Sequence, residues 1–592
     1  MPVTPAKVSF APSPVKPSPL SRRRFVEAAG TAGILSAVAP LLPPQVSRRP
    51  ADEGLRPLAP RPARPVSYDL AIARTPVTID GRRATGTTIN GTIPGPLLRF
   101  QEGDDAIIRV TNRLDEETSI HWHGIILPSE MDGVPGVTFP GIHPGETFEY
   151  RFPIRQSGTY WFHSHSGFQE QAGHYGSILI DPPDGPPDRF DREHVIVLSD
   201  WTFEDPRRVL ARLKKQGDYY NFERRTLGDF FRDVARDGFG STVRDRLMWS
   251  SMRMNPTDIS DVTGATYTYL VNGAAPAPPW TGLFRPGERV RLHFINAAAG
   301  TFFDVRLPGV QLSVVQAYGQ PVVPIDVEEF RLAPAETISV VVELKEDRAY
   351  AIFAEAMDRS GFAAAVLAPR EGMLAEIPPR RARPLLGMND MGMDHGAMTG
   401  PEHAGHQMAE PIRHTGSTHG VENAMVPEVL AQRLGDPGLG LGADGRAVLT
   451  YSDLRSREPR EVAEPTREVE LHLTGNMERF TWGIDGVPFE RAQPIRFTLG
   501  ERLRLVMVND TMMNHPMHLH GMWMELENGQ GTSIPRVHTV NVKPAERLSL
   551  LITADALGKW AFHCHLLYHM EVGMFRIVEV VPVGGAADDA AR

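Results

Sequence analysis

Four pairs of histidines in this chain share one spacing, with a single residue between the two members. They are His121 and His123, His163 and His165, His518 and His520, and His563 and His565. Because side chains alternate faces along a β-strand, both imidazoles of each pair lie on one face. A single pair is more often a surface or hydrogen-bonded feature. Four pairs predict a cluster of metal ions held by nitrogen, for which copper or zinc is best suited.

The only cysteine of the chain, Cys564, stands between His563 and His565 in the stretch HCHLLYHMEVGM. On a strand its side chain points away from both neighbours, so it can bind a different ion on the opposite face. One thiolate, two imidazoles and a weak thioether define a blue-copper electron-transfer site. The sequence therefore predicts copper, with His515 and His569 beside the cysteine.

Two methionines could supply the thioether of this predicted blue-copper site. Met574 lies ten residues beyond Cys564, and Met570 directly follows His569. We favour Met574 as the axial ligand, because the position of Met570 next to His569 more readily turns its side chain elsewhere.

The strands that must position these residues belong to an internal repeat. A glycine turn, a charged residue, an alternating strand and a final asparagine occur together three times: GDDAIIRVTN at 103–112, GERVRLHFIN at 287–296 and GERLRLVMVN at 500–509. A Pro-x-Glu element opens a second strand after each copy, at 144–146, 334–336 and 544–546. Alternation of this kind indicates half-buried β-strands. Paired elements repeated in one order predict three related β-domains.

The predicted fold is all-β, with domains at 66–185, 186–370 and 446–582. The frequent glycines (54) and prolines (52) favour short strands joined by turns. The second domain has Val305 to Leu307 where the others have a histidine pair, so it keeps the scaffold without the ligands. Residues 371–445, rich in Met, His, Gly and Pro, are predicted to form a long loop or partly disordered linker.

The N-terminus carries a predicted export signal. Ser21 to Val26 presents paired arginines before a short apolar stretch, a pattern typical of the twin-arginine route. Residues 1–39 are therefore predicted to be removed, and the mature protein to be periplasmic, without a membrane span. The removed segment holds five basic residues and one acidic residue, so the net charge would change from -10 to -14. This acidic balance argues against nucleic-acid binding, and a single cysteine excludes an intramolecular disulfide.

The motifs HWHG, HSH, HPMHLHG and HCHLLYHMEVGM resemble the complete ligand set of the multicopper oxidases. That family is built from three cupredoxin-like Greek-key β-barrel domains, and the resemblance implies four copper ions. The implied ligands are His515, Cys564, His569 and axial Met574 for the type 1 copper, His121 and His518 for the type 2 copper, and His123, His163, His165, His520, His563 and His565 for the two type 3 coppers.

The resemblance also implies a mechanism. A reducing substrate gives electrons one at a time to the type 1 copper, and Cys564 with its two histidine neighbours carries them to the cluster, where O₂ is reduced to water. Asp132 resembles a family carboxylate that assists proton delivery, although Asp-Gly is also a common turn pair. Several metal-oxidising members have a glutamate where this chain has Tyr568, so the proton route stays open.

The linker is the main indication of the substrate. It alternates thioethers with imidazoles on small residues, at Met388, Met391, Met393, His395, Met398, His403, His406 and Met408. Thioethers favour Cu(I), and a flexible segment can gather the ion without a fixed fold. Met248, Met252 and Met254 form a second soft patch, for which packing in a core or lid is the alternative.

Together with the export signal, these features resemble the bacterial periplasmic copper-resistance oxidases, through MRMNPTD, DPGLGLGADGRAVLTYSDL and HLLYHMEVGMFR. The resemblance implies oxidation of Cu(I) to Cu(II), coupled to O₂ reduction, for copper tolerance. A periplasmic copper-delivery protein is a further predicted partner. The alternatives are a laccase-like oxidation of small phenols and copper sequestration by the Met/His segment.

Overall fold

The computed structural model describes residues 52–55, 58–62, 64–393 and 423–584. The predicted signal at 1–39 and the middle of the Met/His segment lie outside these ranges. Thirty strands in six sheets and four α-helices make up the described chain. The prediction of an all-β fold is therefore confirmed.

The first group of strands forms two four-stranded sheets, ordered β2-β1-β4-β6 and β3-β8-β7-β5. The strands are β1 Pro65–Ile79, β2 Arg82–Ile89, β3 Leu98–Gln101, β4 Asp105–Asn112, β5 His121–His123, β6 Thr147–Pro153, β7 Gly158–His163 and β8 Tyr175–Asp181.

The second group forms a six-stranded and a five-stranded sheet, ordered β10-β9-β12-β17-β14-β15 and β11-β19-β18-β13-β16. The strands are β9 Arg192–Thr202, β10 Tyr267–Val271, β11 Trp280–Leu283, β12 Glu288–Asn296, β13 Phe303–Arg306, β14 Leu312–Ala317, β15 Gln320–Val327, β16 Phe330–Leu332, β17 Thr337–Leu344, β18 Tyr350–Ala356 and β19 Phe362–Ala368.

Three helices are inserted between β9 and β10 of this second group: α1 Pro206–Lys215, α2 Leu227–Asp237 and α3 Phe239–Met252. Local sequence explains where two of them begin. Asp205 caps α1 by accepting a hydrogen bond from the Arg207 amide, and Thr226 forms a capping box with Asp229 at α2. The insertion brings Met252, the last residue of α3, towards the third domain.

The third group repeats the six-plus-five arrangement, ordered β21-β20-β23-β28-β25-β26 and β22-β30-β29-β24-β27. Its elements are β20 Arg467–Asn476, β21 Thr481–Ile484, β22 Ile495–Thr498, β23 Arg502–Asn509, β24 His515–Leu519, β25 Met524–Leu526, β26 Arg536–Val537, β27 Thr539–Val542, β28 Arg547–Thr553, β29 Gly558–Cys564, the short helix α4 Leu567–Glu571 and β30 Phe575–Val581.

The repeated asparagine has the same structural role in each group. The side-chain amides of Asn112, Asn296 and Asn509 are buried, and each donates hydrogen bonds to two backbone carbonyl oxygens. A buried amide must be paired in this way to offset its desolvation. This explains why the motif ends on asparagine.

Burial departs from the expected half-buried pattern where domains meet. All residues of β7 are buried, because this strand packs in its own sheet and also contacts β12 and β17 of the second group. His163 at its end therefore lies away from solvent.

The linker is also more ordered at its start than the composition predicts. Met388 and Met391 are buried in the main hydrophobic core, and a short 3₁₀ turn spans Asn389–Met391. An apolar thioether is stabilised by such burial, which differs from the flexible segment expected at these residues. In the part of the chain that the structure describes, we find no helix with the length and hydropathy of a membrane span.

Candidate metal centres

Strand pairing brings the four histidine pairs together. His121 on β5 lies opposite His163 on β7, and His518 on β24 lies opposite His563 on β29. Cross-strand neighbours on one face of a sheet have side chains within contact distance. The first and third domains therefore each present two histidine pairs on one surface patch, and these two patches contact each other.

The eight histidines sort into three compact groups. One ring nitrogen each from His123, His163 and His565 lie within 4.8 Å of one another. His165, His520 and His563 form a second such set with no member in common. The remaining two, His121 and His518, face each other with their Nε2 atoms 3.4 Å apart. Each group draws on the first and the third domain.

The ring nitrogens of this cluster are available to bind metal. Seven of the eight histidines are buried, and His165 is half-buried. Burial first, and neighbouring imidazoles second, lower the pKa of most of them well below the ordinary value, including that of His520. Nε2 of His163 and His565 and both nitrogens of His123 are buried without a hydrogen-bond partner. A neutral, nitrogen-rich set with unpaired lone pairs fits copper.

Asp132 connects two of these groups. Its backbone oxygen accepts a hydrogen bond from Nδ1 of His121 at 2.9 Å, and its carboxylate Oδ2 lies 2.8 Å from Nδ1 of His520. The side chain is buried at the end of a 3₁₀ turn, Ser129–Met131. Asp132 is thus a turn residue that also orients two histidines.

The second centre surrounds the single cysteine. Sγ of Cys564 lies 3.6 Å from Nδ1 of His515 and 3.9 Å from Nδ1 of His569, and the two nitrogens are 3.3 Å apart. All three side chains are buried. Burial raises the pKa of the Cys564 thiol, so a bound cation would be needed to hold the thiolate. One sulfur and two imidazoles converging here match the donor types of a blue-copper site.

The two methionines considered for this centre have different surroundings. Met574 is fully buried; its backbone oxygen accepts a hydrogen bond from the Cys564 amide, and its own amide donates to the His569 carbonyl. Met570 is only partly buried and packs against a separate small cluster with Val134 and Phe575. This placement favours Met574.

Comparison with known proteins identifies the family. Three sequence models described as Multicopper oxidase match residues 71–185, 192–371 and 463–583. A Copper resistance protein A homolog of Pseudomonas syringae pv. tomato is 50% identical over 593 residues, covering 95% of this chain and 100% of that protein. This chain belongs to the multicopper oxidase family.

Two further similarities agree with this assignment. Copper resistance protein A of Escherichia coli is 51% identical over 558 residues, covering 87% of this chain and 92% of that protein. The crystal structure of a laccase from Botrytis aclada is similar in fold, with a TM-score of 0.61 at 20% identity over 88% of each chain. The three domains are therefore cupredoxin-like, and this multicopper oxidase is a copper-dependent oxidoreductase with O₂ as electron acceptor.

Three side chains that the sequence did not single out contact the histidines of this multicopper oxidase. Oε2 of Glu170 lies 2.8 Å from Nδ1 of His163, and burial raises the pKa of Glu170 well above its usual range. Oδ2 of Asp261 lies 2.9 Å from Nε2 of His569. The third, His538, joins His123 and His518 in a further group of close ring nitrogens. All three come from loops without a repeated pattern, so spacing could not reveal them.

Tyr568, the predicted departure from the family pattern, is buried. Burial raises the pKa of its phenol well above the ordinary value, so the hydroxyl keeps its proton at neutral pH. Glu170 brings a carboxyl from the first domain to the cluster, with Oε1 4.0 Å from Nδ1 of His565. The buried acid near these histidines, Glu170, therefore comes from the first domain, whereas Tyr568 belongs to the third.

We expect the metal-free multicopper oxidase to lose stability in mild acid. Burial lowers the pKa of His174 from 6.5 to about 3, so the unfolded chain binds the proton more readily than the folded one. Stability is thus fully present above about pH 6.5 and falls as the pH drops towards 3, by about 1.4 kcal/mol per pH unit for one such group. Thermal unfolding of metal-free protein between pH 7 and 4 measures this, and His174→Gln should flatten the slope. A melting temperature independent of pH would contradict it.

Proposed function

We propose that this multicopper oxidase is a periplasmic cuprous oxidase that couples oxidation of Cu(I) to Cu(II) with four-electron reduction of O₂ to water, and so confers copper tolerance. Three relatives with about 50% sequence identity carry the name Copper resistance protein A or are called a homolog of it. The twin-arginine segment supports export, although it lies outside the described residues. A periplasmic copper-delivery protein remains a prediction.

Four copper ions follow from the grouping of ligands in this proposal. The two disjoint three-histidine sets suit the type 3 pair, and the facing Nε2 atoms of His121 and His518 suit the type 2 copper. His515, Cys564 and His569 suit the type 1 copper, with Met574 as axial ligand. Nitrogen-rich sets of three and a sulfur-containing set match the preferences of copper.

Bound copper would supply one-electron redox chemistry and the reduction of O₂. The chain itself supplies the connection and the orientation. Cys564 is covalently adjacent to His563 and His565, so one strand joins the type 1 donors to the cluster donors. The carboxylate of Asp132 holds the His520 ring, and Glu170 holds the His163 ring. Groups that donate or accept at the far nitrogen fix the orientation of a ligating imidazole.

A cavity lined by methionine is the observation that favours Cu(I) as the substrate. It has a volume of about 220 Å³ and lies where the end of α3, the end of β20 and the loop before β24 meet. Its thioethers come from Met252, Met254, Met425, Met477 and Met512. Thioethers are soft ligands that select Cu(I) over harder cations, and a site for a phenol needs no such concentration of sulfur.

This Met cavity lies next to the proposed type 1 site. Thr511 lines the cavity, and its hydroxyl lies 2.7 Å from Nε2 of His515. An ion held by the methionines would thus be separated from a type 1 ligand by one side chain. At the rim, Glu478 pairs with Arg253 at 2.9 Å, and both side chains are exposed. Because Arg253 offsets the charge of Glu478, the selection of Cu(I) rests on the thioethers.

Substitutions in the cavity should affect Cu(I) and phenols differently. Met254→Leu and Met512→Leu conserve volume while removing a thioether. Each should raise KM for Cu(I) at least about tenfold, equivalent to about 1.4 kcal/mol, and leave kcat/KM for a small phenol unchanged. Steady-state O₂ uptake with each reductant measures both.

The matched control for these variants is Met248→Leu. Met248 belongs to the same methionine patch in the sequence, but it is 43% exposed and does not line the cavity. Its substitution should leave both reactions unchanged. An equal loss on Cu(I) and phenol in the cavity variants, or no loss on Cu(I), would refute the cavity as the entry site.

Phenol oxidation of the laccase type is the second candidate, supported by the shared fold and by the type 1 donors. Copper sequestration is a third. It requires neither histidine pairs in register across two domains nor a cysteine between two of them. Of the predicted recruiting residues, His395, Met398, His403, His406 and Met408 lie outside the described residues, and Met388 and Met391 are buried.

A further inference from the structure

Two residues occupy equivalent places beside the proposed type 2 ligands. Nδ1 of His121 donates to the backbone oxygen of Asp132 at 2.9 Å, and Nδ1 of His518 makes the same bond to the backbone oxygen of His538 at 2.6 Å. The Asp132 side chain then crosses to the other domain, where it contacts His520. In the same way, the side chain of His538 extends from the third domain to His123 in the first domain.

His123 lacks the partner that such a ligand needs. Among the eight histidines of the cluster, which all lie in the described residues, it alone has both ring nitrogens buried without a hydrogen-bond partner. A metal-bound histidine ordinarily donates its second N–H to an acceptor that fixes the ring. Trp161 packs nearby, with ring centroids 5.1 Å apart, but an indole N–H can only donate.

His538, whose ring lies beside that of His123, carries an unpaired acceptor. Its Nδ1 lies 3.0 Å from the hydroxyl of Thr539, while its Nε2 is buried without a partner. One ring nitrogen of His538 lies within 4.8 Å of those of His123 and His518. The His123 and His538 rings meet edge to face, with centroids 4.9 Å apart. Each of these two neighbouring rings thus carries a buried nitrogen without a hydrogen-bond partner.

The backbone leaves room for this contact. Gly124, which follows His123, has a φ of +80°, and a Cβ on it would lie 2.8 Å from Cδ2 of His538. Any larger residue there would displace the imidazole. The glycine of the HWHG motif therefore has a specific steric role at His538.

We propose that His538 is the positioning residue of His123: its Nε2 accepts the free N–H of the His123 ring when the other nitrogen binds copper, and its Nδ1–H donates to Thr539. It is the neutral counterpart of Asp132. In this way one face of the cluster is oriented by a carboxylate and the other by an imidazole that adds no charge. The inference rests on the copper assignment proposed above.

The test uses full-length protein reconstituted with copper. His538→Leu removes the acceptor, and His538→Gln places an amide oxygen at about the reach of Nε2. His194→Leu is the control, because His194 is equally buried but lies in the second domain, away from the proposed ligands. Copper per chain in competition with a chelator reports affinity, and blue absorption reports the type 1 site separately.

His538→Leu should lower the copper affinity of the cluster about 10–100-fold, with blue absorption retained, and His538→Gln should restore most of it. Unchanged affinity in His538→Leu, or an equal fall in His194→Leu, would overturn the inference. If replacing His538 removes a nitrogen hyperfine coupling from the electron paramagnetic resonance spectrum of copper, then His538 is itself a copper ligand. That result would also overturn the inference. If the parent protein binds copper only at the blue site, the proposed function fails as well.

Discussion

Replacing Cys564 with serine is expected to abolish both the blue absorption and the oxygen uptake of the copper-loaded protein. Sγ of Cys564 lies 3.6 Å from Nδ1 of His515 and 3.9 Å from Nδ1 of His569. A serine oxygen is a hard, weakly acidic donor that cannot replace a thiolate in a blue-copper site. Visible absorption and an oxygen electrode measure the two losses on the same sample.

The fold should survive this change, because the first domain already carries serine at the equivalent place. Ser164 stands between His163 and His165, as Cys564 stands between its two histidines, and both side chains are buried. Ser164→Ala is therefore the matched control, and it should keep its blue absorption. Undiminished oxygen uptake in Cys564→Ser would refute electron transfer from the type 1 site to the histidine cluster through this cysteine.

Removal of the Asp132 carboxylate is expected to lower oxygen uptake about 10–100-fold, the usual cost of losing a group that orients a metal ligand. In Asp132→Ala the ring of His520 loses its partner at 2.8 Å, while the backbone bond to His121 remains. Blue absorption should be unchanged, because Asp132 does not contact the type 1 donors. Turnover and copper per chain measured on one preparation separate slow chemistry from poor loading.

A second buried carboxylate–imidazole pair provides the control for Asp132. Oε2 of Glu193 lies 2.9 Å from Nε2 of His293 in the second domain, and both side chains are buried. Glu193→Gln should leave oxygen uptake per folded molecule unchanged, even if the protein unfolds at a lower temperature. Full activity of Asp132→Ala would contradict the role of this carboxylate in orienting His520, and Asp132 would then be only a residue of the turn.

Local periodicity was enough to predict much of the candidate site. Alternation along a strand placed both imidazoles of each pair on one face, and the repeated glycine-to-asparagine pattern predicted which domains carry them. The same reasoning assigned Cys564 to a separate centre. The all-β fold and the multicopper oxidase family are confirmed. The ligand roles, including the choice of Met574 over Met570, remain predictions that the geometry supports.

Residues brought together by tertiary contacts were beyond the reach of such reasoning. Glu170, Asp261 and His538 approach the histidines from loops, where no period indicates which side chain points inward. The Met cavity joins residues from α3, the end of the linker and the third domain, so only Met252 and Met254 were visible as a sequence patch. Burial of Met391 was missed because composition describes a segment as a whole.

The central claim is tested most directly by measuring how much Cu(I) the fully metallated protein oxidises for each O₂ it consumes. A cuprous oxidase with a complete cluster should oxidise four Cu(I) per O₂, release no hydrogen peroxide, and show a higher kcat/KM for Cu(I) than for a small phenol. Cu(I) that is bound without oxygen uptake would contradict the proposal in favour of sequestration. Uptake driven only by the phenol would contradict it in favour of a laccase.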